Sequence, residues 1–324
     1  MDFLAAYRDA FDDYCNDYKL DKEPQNVYAP IAYILELGGK RLRPMLTLMS
    51  CDAFGTPYKE ALPAAFAVEM FHNFSLIHDD IMDNAPLRRG RQTVHEKWDV
   101  NIGILSGDLM LIKAYQLFEN YEPITFQALA KLFSETAIKV CEGQQMDVDF
   151  ETSDDTTIDN YLKMIAYKTA VLLGAALKMG AISANASDSD KQHIYDFGVN
   201  MGMAFQLQDD YLDAFGDPKT FGKQIGGDII ANKKTFLYLY ALLHLPQDEA
   251  RELTHLYEIH PKDPQGKIAA VKQFFEKSKA TEALKDKMEF YTKKADESLQ
   301  AVAISAEHKA SFEKLSDLLL QRTI

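Results

Sequence analysis

ALPAAFAVEMFHNFSLIHDDIMD, residues 61–83, decides the fold. From Ala61 to Met82 the stretch is mostly apolar and too long for a strand, so it reads as a long helix buried on most of its faces. It ends in an acidic pentad, Asp79, Asp80 and Asp83. Residues i and i+4 share a helix face, so Asp79 and Asp83 point the same way. A second pentad closes FQLQDDYLD, residues 205–213, with Asp209, Asp210 and Asp213. There Asp209 and Asp213 share a face.

Outward from these two segments, helical patterns dominate. Phe3, Tyr7, Ala10, Phe11 and Tyr14 recur at helical spacing. Further helices fit Leu42–Phe54, Ile102–Tyr121, Phe126–Phe150, Ile158–Ala184, Asp188–Phe215 and Thr235–Leu243, with more after Asp248. Loops fall at Glu151–Thr157 and at the Gly- and Lys-rich Gly216–Asp228. No run of alternating strands, Pro-rich linker or short repeat breaks the pattern. The expectation is one all-α domain over residues 1–324, with mostly buried helices around a central catalytic cavity.

A net charge of −14 argues against a nucleic-acid partner. Cys15, Cys51 and Cys141 form no metal-ligand spacing and no even disulfide set, which fits free thiols in a reducing cytoplasm. The acidic, amphipathic N-terminus lacks the basic start and apolar run of a secretory signal. The most apolar run, Val171–Ala184, is interrupted by Lys178 and is too short to span a bilayer.

Like charges at i,i+4 repel. Alone, either pentad equally suits a solvated helix end. Two at matching positions call for a cation, and hard oxygen ligands favour magnesium, which also bridges to phosphates. Basic residues answer them. GGKRLRP carries Lys40, Arg41 and Arg43 after a Gly38–Gly39 turn, and PLRRGRQTVH places Arg88 and Arg89 after the first pentad. Guanidinium groups bind phosphate oxygens through paired hydrogen bonds. Lys168 lies in the otherwise apolar MIAYKTAVLLGAAL beside Thr169, so it must reach water or an anion. Lys223, Lys233 and Lys234 surround a glycine-rich loop that could close over a diphosphate. His72 and Gln206 precede the two pentads on their helices. His78 fits either orienting the aspartates or plain packing.

GGKRLRP, HNFSLIHDDIMD, LRRG, GQQMD (143–147), YKT, GMAFQLQDDYLD, FGKQIGGDI and NKKT occur in an order that resembles the trans-isoprenyl diphosphate synthases, or polyprenyl synthetases. The resemblance spans residues 38–236. It implies an all-α, usually homodimeric magnesium-dependent prenyltransferase of the farnesyl or geranylgeranyl diphosphate synthase type, with three magnesium ions. Asp79, Asp83 and Asp209 would bind metal, with Asp80, Asp210 and Asp213 nearby and Asp147 supporting the shell or orienting Lys168. Arg88, Lys168, Thr169, Gln206, Lys223 and Lys233 would contact the allylic diphosphate. Lys40, Arg43, His72 and Arg89 would hold isopentenyl diphosphate. Gln92 stands where the family often has proline, and Asn232 where it often has glycine.

The expected chemistry is ionisation of the allylic diphosphate, attack by the isopentenyl double bond, and proton loss. Asp79, Asp80, Asp83, Lys168, Asp209 and Asp210 would carry the catalysis. Phe74, five residues before Asp79 and with Ser75 beside it, would floor the cavity for the growing chain and keep products at fifteen or twenty carbons. Competing readings are a longer-chain synthase, a class I terpene cyclase and a non-catalytic partner subunit.

Overall fold

The computed structural model of the chain describes residues 2–153, 155–217 and 225–320. The all-α expectation holds. Among the described residues the only strands are Leu87–Arg88 and Arg91–Gln92, an antiparallel pair in the register Leu87↔Gln92. The long helices lie close to their expected places, at Leu42–Ala53, Leu62–Met82, Val100–Leu117, Pro123–Thr152, Asp188–Phe215 and Phe236–His244. A helix at Gln25–Glu36 and a short one at Val94–Lys97 were not anticipated.

Two compact units emerge, Met1–Ser134 with Ala175–Gln192, and Glu135–Gly174 with His193–Ile324. In the first, Leu62–Met82 lies along Val100–Leu117, and glycines on the latter permit the approach. A Cβ at Gly103 would lie 2.9 Å from Ile81 Cδ1, and one at Gly107 would collide with the His78 ring. Phe133 centres an aromatic cluster, edge-on to Tyr115, Phe71 and Phe118 at 4.7, 5.2 and 5.3 Å.

Ile158–Ser183 matches the helix expected at Ile158–Ala184 and extends well beyond its most apolar run, Val171–Ala184. It forms one continuous helical stretch whose middle, Ala166–Ala170, is a π turn. By length and composition it could cross a bilayer, but 72% of its most apolar window is buried in the protein, as in a core helix. The π turn adds a residue to the helical repeat and rotates the residues after it, a device frequent at functional sites. Lys168 and Thr169 sit on it.

Two glycines of the second unit pinch this turn. A Cβ on Gly143 would collide with the backbone nitrogen of Lys168, and one on Gly202 would lie 2.8 Å from Ala170 Cα. Both contacts are with backbone, which cannot swing aside. Gly143→Ala should therefore destabilise the protein by about 1–3 kcal/mol through overpacking. Urea unfolding checks this; an unchanged midpoint would mean the turn yields to a methyl group.

Candidate active site

Around the first pentad, the Asp83 N–H donates to the Asp79 carbonyl at 2.9 Å, closing the last turn of Leu62–Met82. Asp79 is half-buried and Asp83 exposed. Asp80 faces inward, 1% exposed, and accepts from Arg88 Nε at 3.0 Å and Nη2 at 2.5 Å. Arg88 is carried on the small hairpin, whose turn residues Arg89 and Gly90 both have positive φ, 54° and 76°. That is the twist a two-residue hairpin needs.

The turn sends Arg89 towards Gly39. A Cβ on Gly39 would lie 2.8 Å from the Arg89 guanidinium, and φ 139° at Gly39 also favours glycine. Arg43 Nη1 lies 3.3 Å from His72 Nε2. A guanidinium only donates, so His72 Nε2 accepts and its proton sits on Nδ1. Burial, then Arg43, Arg89, Arg88 and Arg41, hold His72 well below the usual histidine range, so it is neutral at neutral pH. Burial pulls Arg43 down to about 10, still a cation, and its buried Nε has no partner among the described residues. Arginines gathered on a neutral imidazole, with a buried donor unmet, suit phosphate oxygens. Lys40 is exposed on the adjoining turn.

Arg41 has a different task. Its φ is 48°, and it pairs with buried Glu69 at 2.5 Å while donating to the Leu35 carbonyl. It fastens the glycine turn. His78 packs against Phe74 at 4.8 Å and contacts the Ile104 carbonyl at 3.2 Å. Phe74 is 9% exposed and also meets Phe71. Ser75 Oγ donates to the His72 carbonyl of its own helix.

The second unit holds a cavity of about 210 Å³ lined by Asp147, Lys168, Thr169, Gln206, Asp210 and Lys233, among others. Lys168 Nζ donates to Asp147 Oδ2 at 2.6 Å. Asp210 is buried and accepts from the Tyr161 hydroxyl and from Gln206 Nε2 at 3.4 Å. Burial first, then the charge of Asp228, push Asp210 well above the carboxylate range, while Tyr161 and Gln206 pull it back. Asp213 Oδ1 accepts from the Asp228 N–H at 3.0 Å and so holds the start of the helical turn Gly227–Ile230. Asp209 is half-buried. Lys223 lies outside the described residues.

Tyr161 and Asp228 were missed in the sequence. Asp228 had one available signal, an acid inside a glycine-rich loop. Tyr161 had only a two-turn spacing to Lys168, which the π turn alters. Among the described residues, no three His, Cys, Asp or Glu side chains converge into a ready-made metal cage. Carboxylates set beside lysine and arginine nevertheless match magnesium, which takes one or two acids and completes its shell with water and phosphate oxygens.

Tyr161→Phe removes the stronger of the two hydrogen bonds to buried Asp210. It should destabilise the protein by about 1–3 kcal/mol. Chemical denaturation at neutral pH measures this; a change within a few tenths would show that the hydroxyl does not support Asp210.

Proteins of similar sequence and fold are known. A family model for polyprenyl synthetase matches residues 24–275. The short chain isoprenyl diphosphate synthase of Methanothermobacter thermautotrophicus is 33% identical over 323 residues, covering 99% of this chain and 98% of that protein. The geranylfarnesyl diphosphate synthase of Aeropyrum pernix is 33% identical over 320 residues, covering 96% and 98%. A crystal structure of a geranylgeranyl pyrophosphate synthase superposes with a TM-score of 0.94 at 51% identity over 99% of each chain. With both pentads, the GGKRLRP turn and the LRRG hairpin inside the matched residues, the chain belongs to the polyprenyl synthetase family.

Proposed function

We propose that residues 1–324 work as one synthase domain that condenses an allylic diphosphate with isopentenyl diphosphate, giving a short-chain trans product and diphosphate. The observation that carries this reading is that cations stand beside both acidic pentads. Asp80 is bound to Arg88 near the Arg43–His72–Arg89 cluster, and Asp210 shares a cavity wall with Lys168 and Lys233. The further cations Arg43 and Arg89, gathered on His72, suit a second diphosphate substrate. A terpene cyclase binds one.

In this reading Arg43, His72, Arg89 and Lys40 hold isopentenyl diphosphate. Arg88, Lys168, Thr169, Gln206, Lys233 and Lys223 take the allylic diphosphate. Lys168 keeps its cation in place through Asp147 and meets the charge that grows on the departing diphosphate. Neutral His72 donates through Nδ1 without adding to the repulsion among the arginines. Asp79, Asp83 and Asp209 would hold magnesium, with Asp80, Asp147, Asp210 and Asp213 orienting what surrounds it. When bound, magnesium supplies Lewis acidity toward the diphosphate oxygens. The surrounding apolar packing excludes water that would quench an allylic cation. Phe74, buried against Phe71 and His78, is proposed as the floor that limits product length.

Exposed Ile104, Leu105 and Ile112 on Val100–Leu117 support a homodimer. The free thiols Cys15, Cys51 and Cys141 support a reducing, cytoplasmic setting.

Incubation with labelled isopentenyl diphosphate and dimethylallyl, geranyl or farnesyl diphosphate tests the reading. Label should enter a fifteen- or twenty-carbon product, and none entering any product would end the proposal. Asp79→Ala should reduce turnover at least about a hundredfold; near-normal rates with magnesium present would refute the assigned role. Phe74→Ala should lengthen the product by one or more five-carbon units on chromatography, and an unchanged length would remove Phe74 as the floor.

A further inference from the structure

The segment leading to Lys233 is fastened on both flanks. Asn232 stands at φ 58°, a left-handed conformation that glycine adopts most cheaply and asparagine tolerates. Both ends of its side-chain amide have partners. Oδ1 accepts from the ammonium of Lys267, and Nδ2 lies 3.2 Å from His260 Nε2. Lys267 is only 4% exposed, in the first turn of the helix Gln265–Lys277. It also donates to the Ile259 carbonyl at 3.1 Å and sits 5.6 Å from the centre of the Tyr257 ring. On the other flank, Lys234 Nζ donates to the Ser153 carbonyl. Between them the Lys233 N–H donates to the Asp228 carbonyl at 2.9 Å, and the residue lines the cavity of Lys168 and Asp210.

A buried ammonium that loses an acceptor is penalised heavily, so Lys267 resists releasing Asn232. We propose that Asn232, latched through Lys267, is a positioning residue that sets Lys233 to meet a diphosphate in this cavity. The proposal rests on the reading of that cavity as a diphosphate site. Glycine would keep the left-handed backbone and remove the contacts to Lys267 and His260 together, and Lys267→Met removes the first alone. Aspartate offers Lys267 the same acceptor and tolerates the same φ, so Asn232→Asp should keep the latch.

Titration calorimetry with inorganic pyrophosphate and magnesium reads the effect directly. Asn232→Gly should bind about tenfold more weakly, the scale of one misplaced charge-assisted hydrogen bond. Asn232→Asp should bind like the unmodified chain. Lys267→Met should reproduce the glycine variant. In steady state Asn232→Gly should raise KM for the allylic diphosphate with kcat nearly unchanged, a split that general loosening of the fold would not produce. Equal pyrophosphate affinity in Asn232→Gly and the unmodified chain overturns the latch and leaves the condensation reading standing. No pyrophosphate binding by the unmodified chain would defeat the reading of the cavity, and the latch with it.

Discussion

Carboxylates gathered on a half-buried helix end repel one another, and low-dielectric surroundings penalise every charge that lacks a partner. Both pentads meet this constraint in the same way. The middle acid turns inward and is tethered, Asp80 by the Arg88 fork and Asp210 by the Tyr161 hydroxyl with Gln206. Successive helical residues are about 100° apart. Pinning the middle acid therefore sets the faces of its neighbours, Asp79 and Asp83 in one case and Asp209 and Asp213 in the other. Lys168 obeys the same logic with the signs reversed, held by Asp147.

The tethers depend on close backbone approach. Gly143 and Gly202 pinch the π turn that presents Lys168, and Gly39 clears room for the Arg89 guanidinium. In each place a methyl group would meet backbone or a charged head, so the glycines act as spacers of near-zero size. Arg41 with Glu69 then stiffens the turn in front of Arg43. His72 adds no charge to the arginine cluster, because burial and the arginines together hold it neutral.

Much of this was legible in the sequence. The helix Leu62–Met82 and its acidic end came from an apolar run too long for a strand, and Lys168 stood out as a lone charge in an apolar helix. Less was legible where a residue has two ordinary roles. GGKRLRP offered three cations with nothing to separate Arg41, which became a structural partner of Glu69, from Arg43, which faces His72. LRRGRQ concealed a hairpin, because Arg89 in a left-handed turn position carries no apolar alternation to announce it. The same holds for Asn232, whose place in the sequence gave no hint of Lys267 thirty-five residues away.

Local order was the sequence's to determine. Helix content, the common face of Asp79 and Asp83, and the supply of acids and bases all arise from periodicity along one element, which depends on near neighbours alone. Tertiary structure decided which charges meet. Tyr161 reaches Asp210 across 49 positions, and Lys168 reaches Asp147 across 21. Those distances are closed only when helices pack, and the π turn that aims Lys168 exists where two other helices bring glycine against it. Pairing energy over such separations is not written in any short window of residues, because it arises only after burial has removed the water that would otherwise satisfy each group separately.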